Sequence, residues 1–141
     1  MSEAAIGDRT ASAMSVSISR KDQPRMIPGR RSFFQYVDLG VADATNGEAK
    51  AQIMIANRGT KDATGWHYHS CVMQFVYVLK GSVDLQFADG DWIRFTEGDS
   101  MMIPGGTVHQ ERGTDEAFEL LEFSVPAAMG TVPCEAPQAA K

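Results

Sequence analysis

From Ser32 onward the chain consists of short apolar runs cut by glycine, aspartate and proline, and this punctuation limits the fold more than any other feature: "SFFQYVDLG", "KAQIMIANRG", "GWHYHS", "MQFVYVLKG", "SVDLQFADG", "DWIRFTEGD", "SMMIPGG", "TVHQERG" and "AFELLEFSVP". Runs of about 4 to 9 residues between turn signals are strands. In "SVDLQFADG", Val83, Leu85 and Phe87 alternate with Asp84 and Gln86, and in "DWIRFTEGD", Trp92, Arg94 and Thr96 oppose Ile93, Phe95 and Glu97. That period of two belongs to a sheet with one covered face. "KG" at 80–81, "ADGD" at 88–91 and "EGD" at 97–99 supply the glycine and aspartate that hairpin turns require. With no helical period and no internal repeat, the expectation is an all-β sandwich or barrel. A length of 141 residues suits one such domain.

The ends read differently. Residues 1–31 mix Ser, Ala, Arg and two prolines without a period, so a flexible basic arm is expected, its later half available as an edge strand. The domain proper is expected over 32–125, and the Ala/Pro-rich tail 126–141, with Cys134, should lie irregularly on the surface. The arm holds six basic against three acidic residues, leaving 7 basic and 15 acidic residues for the rest. An acidic folded part argues against nucleic acid as a partner. No apolar run reaches the roughly 18 to 20 residues that span a bilayer. Two cysteines without a CxxC pair, and a start without an apolar leader segment, favour a cytoplasmic setting.

The chain has three histidines, two of them one residue apart in "GWHYHS". On an extended strand His67 and His69 project from one face while Tyr68 turns away, the way a strand offers two imidazoles to one ion. Alone, such a pair is as readily two solvated or hydrogen-bonded side chains. The third, His109, follows Pro104, Gly105 and Gly106, where a new strand begins that a neighbouring position in a barrel would set beside the pair.

These residues carry a resemblance to the cupin superfamily. Its first motif runs glycine, five residues, HxH, three or four residues, Glu, six residues, glycine; here His67, His69, Gln74 and Gly81 keep the spacing. Its second motif, glycine, five residues, PxG, two residues, His, three residues, Asn, is matched at Gly98, Pro104, Gly106 and His109. Gln74 stands where Glu is usual and Gly113 where Asn is usual, and the opening glycine falls at Gly65 or Gly59 instead of at Lys61. Covering about Gly59 to Val125, the resemblance implies a single-domain jelly-roll β-barrel. Inside it, one divalent transition metal, Fe2+ ahead of Zn2+, Ni2+, Mn2+ or Co2+, would be held by His67, His69, His109 and Gln74.

Three neutral imidazoles leave positions open on a divalent ion, as in catalytic sites. Gln74 in place of Glu leaves the charge of ion and ligands at +2 rather than +1, since an amide oxygen is neutral, and this favours an anionic, oxygen-bearing ligand. Gln74 acting only as a hydrogen-bonding neighbour of the shell is the alternative. Cys71 shares the histidines' parity and is a conceivable thiolate. Met54, Trp66, Val76, Met101 and Phe123, with Val78 and Ile103, are candidates for an apolar pocket wall. Tyr68 and Glu111 are the nearest titratable groups, each expected to point away from its histidine, so no general base is assigned. Phe75, Tyr77 and Leu79 form an apolar outer face that needs cover, and small cupins commonly dimerise, so a homodimer is expected. The functional expectation is a metal-dependent oxygenase of a small substrate. The other readings are a non-catalytic small-molecule or metal-binding module and, last, a sugar isomerase or epimerase.

Overall fold

The computed structural model describes residues 14–28, 34–57, 62–114 and 117–137. Parts of the expected basic arm (1–13 and 29–31), and Gly59 and Lys61, lie outside the described residues. The elements in chain order are β1 (Arg25–Pro28), β2 (Phe34–Asp38), α1 (Val41–Ala44), β3 (Lys50–Ala56), β4 (His67–Ser70), β5 (Met73–Lys80), β6 (Ser82–Phe87), β7 (Trp92–Thr96), β8 (Ser100–Pro104), β9 (His109–Gly113), β10 (Phe118–Val125) and β11 (Gly130–Pro133). They form two antiparallel sheets, β1-β2-β3-β10-β5-β8 and β11-β4-β9-β6-β7. Two facing sheets with crossing connections are the jelly roll expected from the strand pattern. Among the described residues no ladder joins one sheet to the other, so the architecture is a two-sheet roll and not a hydrogen-bonded closed barrel.

Alternation is kept strand by strand. On β5, Gln74, Val76 and Val78 are buried, while Tyr77 and Leu79 are exposed on the opposite face. Cross-strand partners share a face, so Leu120 joins Val78 and Ser124 joins Gln74 on the inside, and Phe123 joins Phe75 on the outside. The core lies between the sheets where Met54, Val76, Val78 and Leu120 of the first meet Val83 and Leu85 of the second. Toward one end the inward residues of the first sheet change from apolar to polar: Met54 gives way to Gln52 and Lys50, Leu120 to Glu122 and Ser124, and Val78 and Val76 to Gln74. That polar end is the end where β4 and β9 set the histidines.

Two segments depart from expectation. The turn after β2 contains a four-residue helix, too short for a period to reveal, whose packing on β3 buries Ala51 on the outer face. The tail is not wholly irregular: Gly130–Pro133 pairs with β4 as an edge strand. Thr131 and Val132 are β-branched, and an edge position tolerates Pro133 at the strand end.

Candidate metal centre

Each histidine is set by a turn. Gly65, at φ 90°, adopts the left-handed conformation that starts β4, and its carbonyl then accepts a hydrogen bond from His67 Nδ1 at 2.8 Å. The Pro104-Gly105-Gly106 turn docks on the β4–β5 connection: Gly105 N donates to Val72 O at 2.9 Å and Gly106 N to His69 O at 3.0 Å. A side chain at Gly105 would overlap the Cys71 carbonyl, so the approach requires glycine. The two sequence motifs are thus in physical contact, and β9 leaves the second with His109 directly opposite His67.

The three rings face one another, with centroids 4.6 Å apart for His67 and His109, 5.1 Å for His67 and His69, and 5.2 Å for His69 and His109. Their ligating nitrogens all lie within 4.8 Å of one another, the one group of this kind among the described residues. His67 and His109 are buried and His69 is half-buried. Phe87, opposite His109 on β6, closes the site on its core side with its ring centroid 6.0 Å from that imidazole. His109 Nδ1 lies 2.8 Å from Thr107 O, and His69 Nδ1 lies 3.2 Å from Thr131 Oγ1 on β11. A carbonyl only accepts, so Nδ1 of His67 and of His109 carries the proton and Nε2 presents a lone pair to the centre. Burial also pushes the His109 pKa below its ordinary value, against a smaller upward pull from the Thr107 carbonyl, and this favours the neutral, ligating ring.

Gln74 enters from the other sheet. It is 7% exposed, and its Oε1 has no hydrogen-bond partner among the described residues. A buried acceptor without a donor is uncommon and costly, and a cation beside it would remove the cost. Three neutral nitrogens and one amide oxygen fit a borderline divalent transition ion. Cys71 stands outside this group: it lies in the β4–β5 turn, and burial raises its thiol pKa, which opposes a thiolate.

His69 and Gln74 line a cavity of about 330 Å³ between the sheets. Of the expected apolar wall, Met54 lines it, beside Phe34 and Tyr36 of β2. Trp66 does not; it has the parity of Tyr68 and turns from the histidines, and its carbonyl accepts from Cys134 N at 3.0 Å. Val76, Val78 and Ile103 are buried in the core, and Met101 packs against it. Phe123 faces outward with Phe75. Ile27, Ala127 and Met129 add apolar surface, and the polar part of the wall includes Lys50, Gln52, Glu122 and Ser124 from the first sheet and Glu111 from the second. Glu111 corrects the expectation that it points away from its histidine, because residues two apart on a strand share a face and β9 turns both inward. Gln52 Nε2 donates to Glu122 Oε2 at 3.0 Å. In formal charges Lys50, Glu111 and Glu122 contribute −1, so the surroundings return the negative charge that Gln74 withholds.

Residues 53–124 match the family model described as "Cupin domain", just over half of the chain. No curated protein sequence matches it. Among solved structures, the polyketide cyclase RemF from Streptomyces resistomycificus superposes with a TM-score of 0.70 at 15% identity, over 89% of this chain and 90% of that one. KdgF from Halomonas sp. gives 0.63 at 19% identity, over 78% and 94%. The Fe(II) form of HppE gives 0.62 at 17% identity, over 78% of this chain and 60% of that one. These likenesses share the fold, and the matched span contains every histidine, the Gln74 position and the turn that docks them, so the chain belongs to the cupin domain family.

Proposed function

We propose that this chain is a metal-dependent cupin enzyme acting on a small oxygen-bearing substrate, with oxygenase chemistry at an Fe(II) centre as its leading form. The observation that supports it is the cluster of His67, His69 and His109 at a cavity sized for a small molecule, which His69 lines from one sheet and Gln74, its Oε1 unpartnered among the described residues, lines from the other. These four side chains would hold the ion. When bound, the ion supplies Lewis-acid polarisation of substrate oxygens and, as Fe(II), redox chemistry toward dioxygen. Phe34, Tyr36 and Met54 exclude water from one side of the cavity, and Glu111 offers a carboxylate on the histidine sheet for a substrate proton. The Fe(II) form of HppE supports the choice of iron. Zn2+, Ni2+, Mn2+ and Co2+ suit the same donors.

The proposal extends to a homodimer. Tyr77, Leu79 and Met102 are 39%, 42% and 56% exposed on the outer face of the six-stranded sheet, an apolar surface that a second copy would cover. Sedimentation at micromolar concentration reads this directly, and a monomer under all conditions overturns it. For the activity, metal analysis of the purified and reconstituted protein comes first, then oxygen uptake against diketones, catechols and thiols. About one metal per chain with substrate-dependent uptake is expected. Trace metal after reconstitution overturns the reading, and full metal without turnover replaces it with the non-catalytic binding module.

A further inference from the structure

We infer that Lys50 is the specificity residue of this cavity: it receives a carboxylate of the substrate on the far side of β10 from Gln74, apart from the group that faces the histidines. The inference rests on the metal-site reading above and names the substrate class it left open, a small acid whose chelating oxygens and whose carboxylate are separate groups.

Lys50 begins β3 on the inward parity of Gln52 and Met54, and all three line the cavity from the sheet that also carries Gln74, with His69 facing them from the other sheet. Among the described residues no carboxylate pairs with its ammonium. With no carboxylate in ion-pair reach among the described residues, this half-buried ammonium is left for an anion in the cavity to pair with. Its cross-strand partner is Ser124, buried on the same face, and Gln52 is next along the strand, so an ammonium, a hydroxyl and an amide line one end of the site. The inner face of a jelly roll is expected to be apolar at these positions, and the other end of these strands is.

Charge selects the kind of anion. Glu111 and Glu122 line the same cavity, and one ammonium balances one negative charge. That leaves one glutamate charge unbalanced, so a carboxylate monoanion meets less repulsion than a phosphate or phosphonate dianion, and Lys50 is the cationic side chain in the lining that can receive it. The volume, about 330 Å³, is at the lower end for small-molecule sites and suits a compact acid.

The test uses a length-matched pair of probes on the Co2+-loaded protein, 2-oxoglutarate and 2-oxovalerate, which share the chelating end and differ in the distal carboxylate. Binding is followed by the cobalt absorption spectrum. In the wild-type protein 2-oxoglutarate should bind about tenfold tighter, the size of one charge-assisted hydrogen bond. Lys50→Met should remove that preference with 2-oxovalerate affinity unchanged, and Lys50→Arg should retain most of it. The analogue with a distal phosphonate should bind more weakly than 2-oxoglutarate. Equal binding of the pair in the wild type, a preference that survives Lys50→Met, or tighter binding of the phosphonate overturns the inference. The same pair is compared by thermal shift in metal-free protein, where the preference reads Lys50 alone. A chain that takes up no cobalt but keeps the preference defeats the metal reading and not the lysine.

Discussion

Replacing Gln74 by methionine should stabilise the metal-free protein while shrinking the increment that metal adds. The side chain is 7% exposed and its Oε1 has no partner among the described residues, so the metal-free protein carries a desolvated acceptor without a donor. Such a group costs about 1–3 kcal/mol, and an apolar side chain of similar shape removes the cost. Methionine is unbranched and fits irregular space, so repacking against Val76 and Ser124 adds little to offset the gain. The metal-free variant should gain about 1–2 kcal/mol, roughly 3–6 °C in melting temperature for a domain of this size. With metal that gain is offset, because the metal increment shrinks. An ion at a thousandfold excess over its Kd stabilises by about 4.1 kcal/mol, and a tenfold loss of affinity leaves about 2.7 kcal/mol. Calorimetric melts with chelator and with a fixed Co2+ excess measure both quantities on one sample. A metal-free variant that melts lower than wild type refutes the account of the buried oxygen. A metal increment equal to that of wild type refutes ligation by Gln74.

Thr131→Val keeps the shape of β11 but removes the hydroxyl 3.2 Å from His69 Nδ1, and metal affinity by titration calorimetry should fall about tenfold with the melting temperature of the metal-free protein nearly unchanged. Gly105→Ala drives a methyl group into the Cys71 carbonyl and should displace the second motif from the first, lowering both stability and bound metal as read by circular dichroism and metal analysis. Asp84 is held below the usual carboxylate range chiefly by Arg94, which donates to it at 2.8 and 3.1 Å, and further by Arg112 at 3.3 Å. A depressed folded-state pKa stabilises above the unfolded value, near 3.9, and that stability is lost as pH falls through the folded value. Asp84→Asn should therefore cost about 1–2 kcal/mol at pH 7 in urea midpoints, the partly exposed guanidiniums limiting the loss, and match wild type at the acid end; a constant difference down to pH 2 would contradict the ion-pair account.

The strand pattern and the histidine geometry were legible because both follow from local rules: period two put His67 and His69 on one face, and the Pro-Gly-Gly turn announced where His109 would begin a strand. The cavity wall was not. Apolar residues such as Phe123 and Val76 look like lining and charged ones such as Lys50 and Glu122 look like solvent contacts, yet at this end of the roll the order is inverted. Phe123 faces out because its neighbours Glu122 and Ser124 face in, and only the pairing of β10 with β5 decides which parity is inside. Glu111 was recoverable from alternation alone, being two residues from His109. The pairing of β11 was not, since four residues that end in a proline carry little period and their partner strand is some 60 residues earlier.

That late pairing has a consequence for synthesis. His69 lies between β9 and β11, and the oxygen beside its Nδ1 belongs to Thr131, so a nascent chain that has emerged only as far as His109 holds all three imidazoles but leaves one of them able to swing. The ring of His69 is thus fixed from the last strand in chain order among the described residues, which follows all three histidines and Gln74.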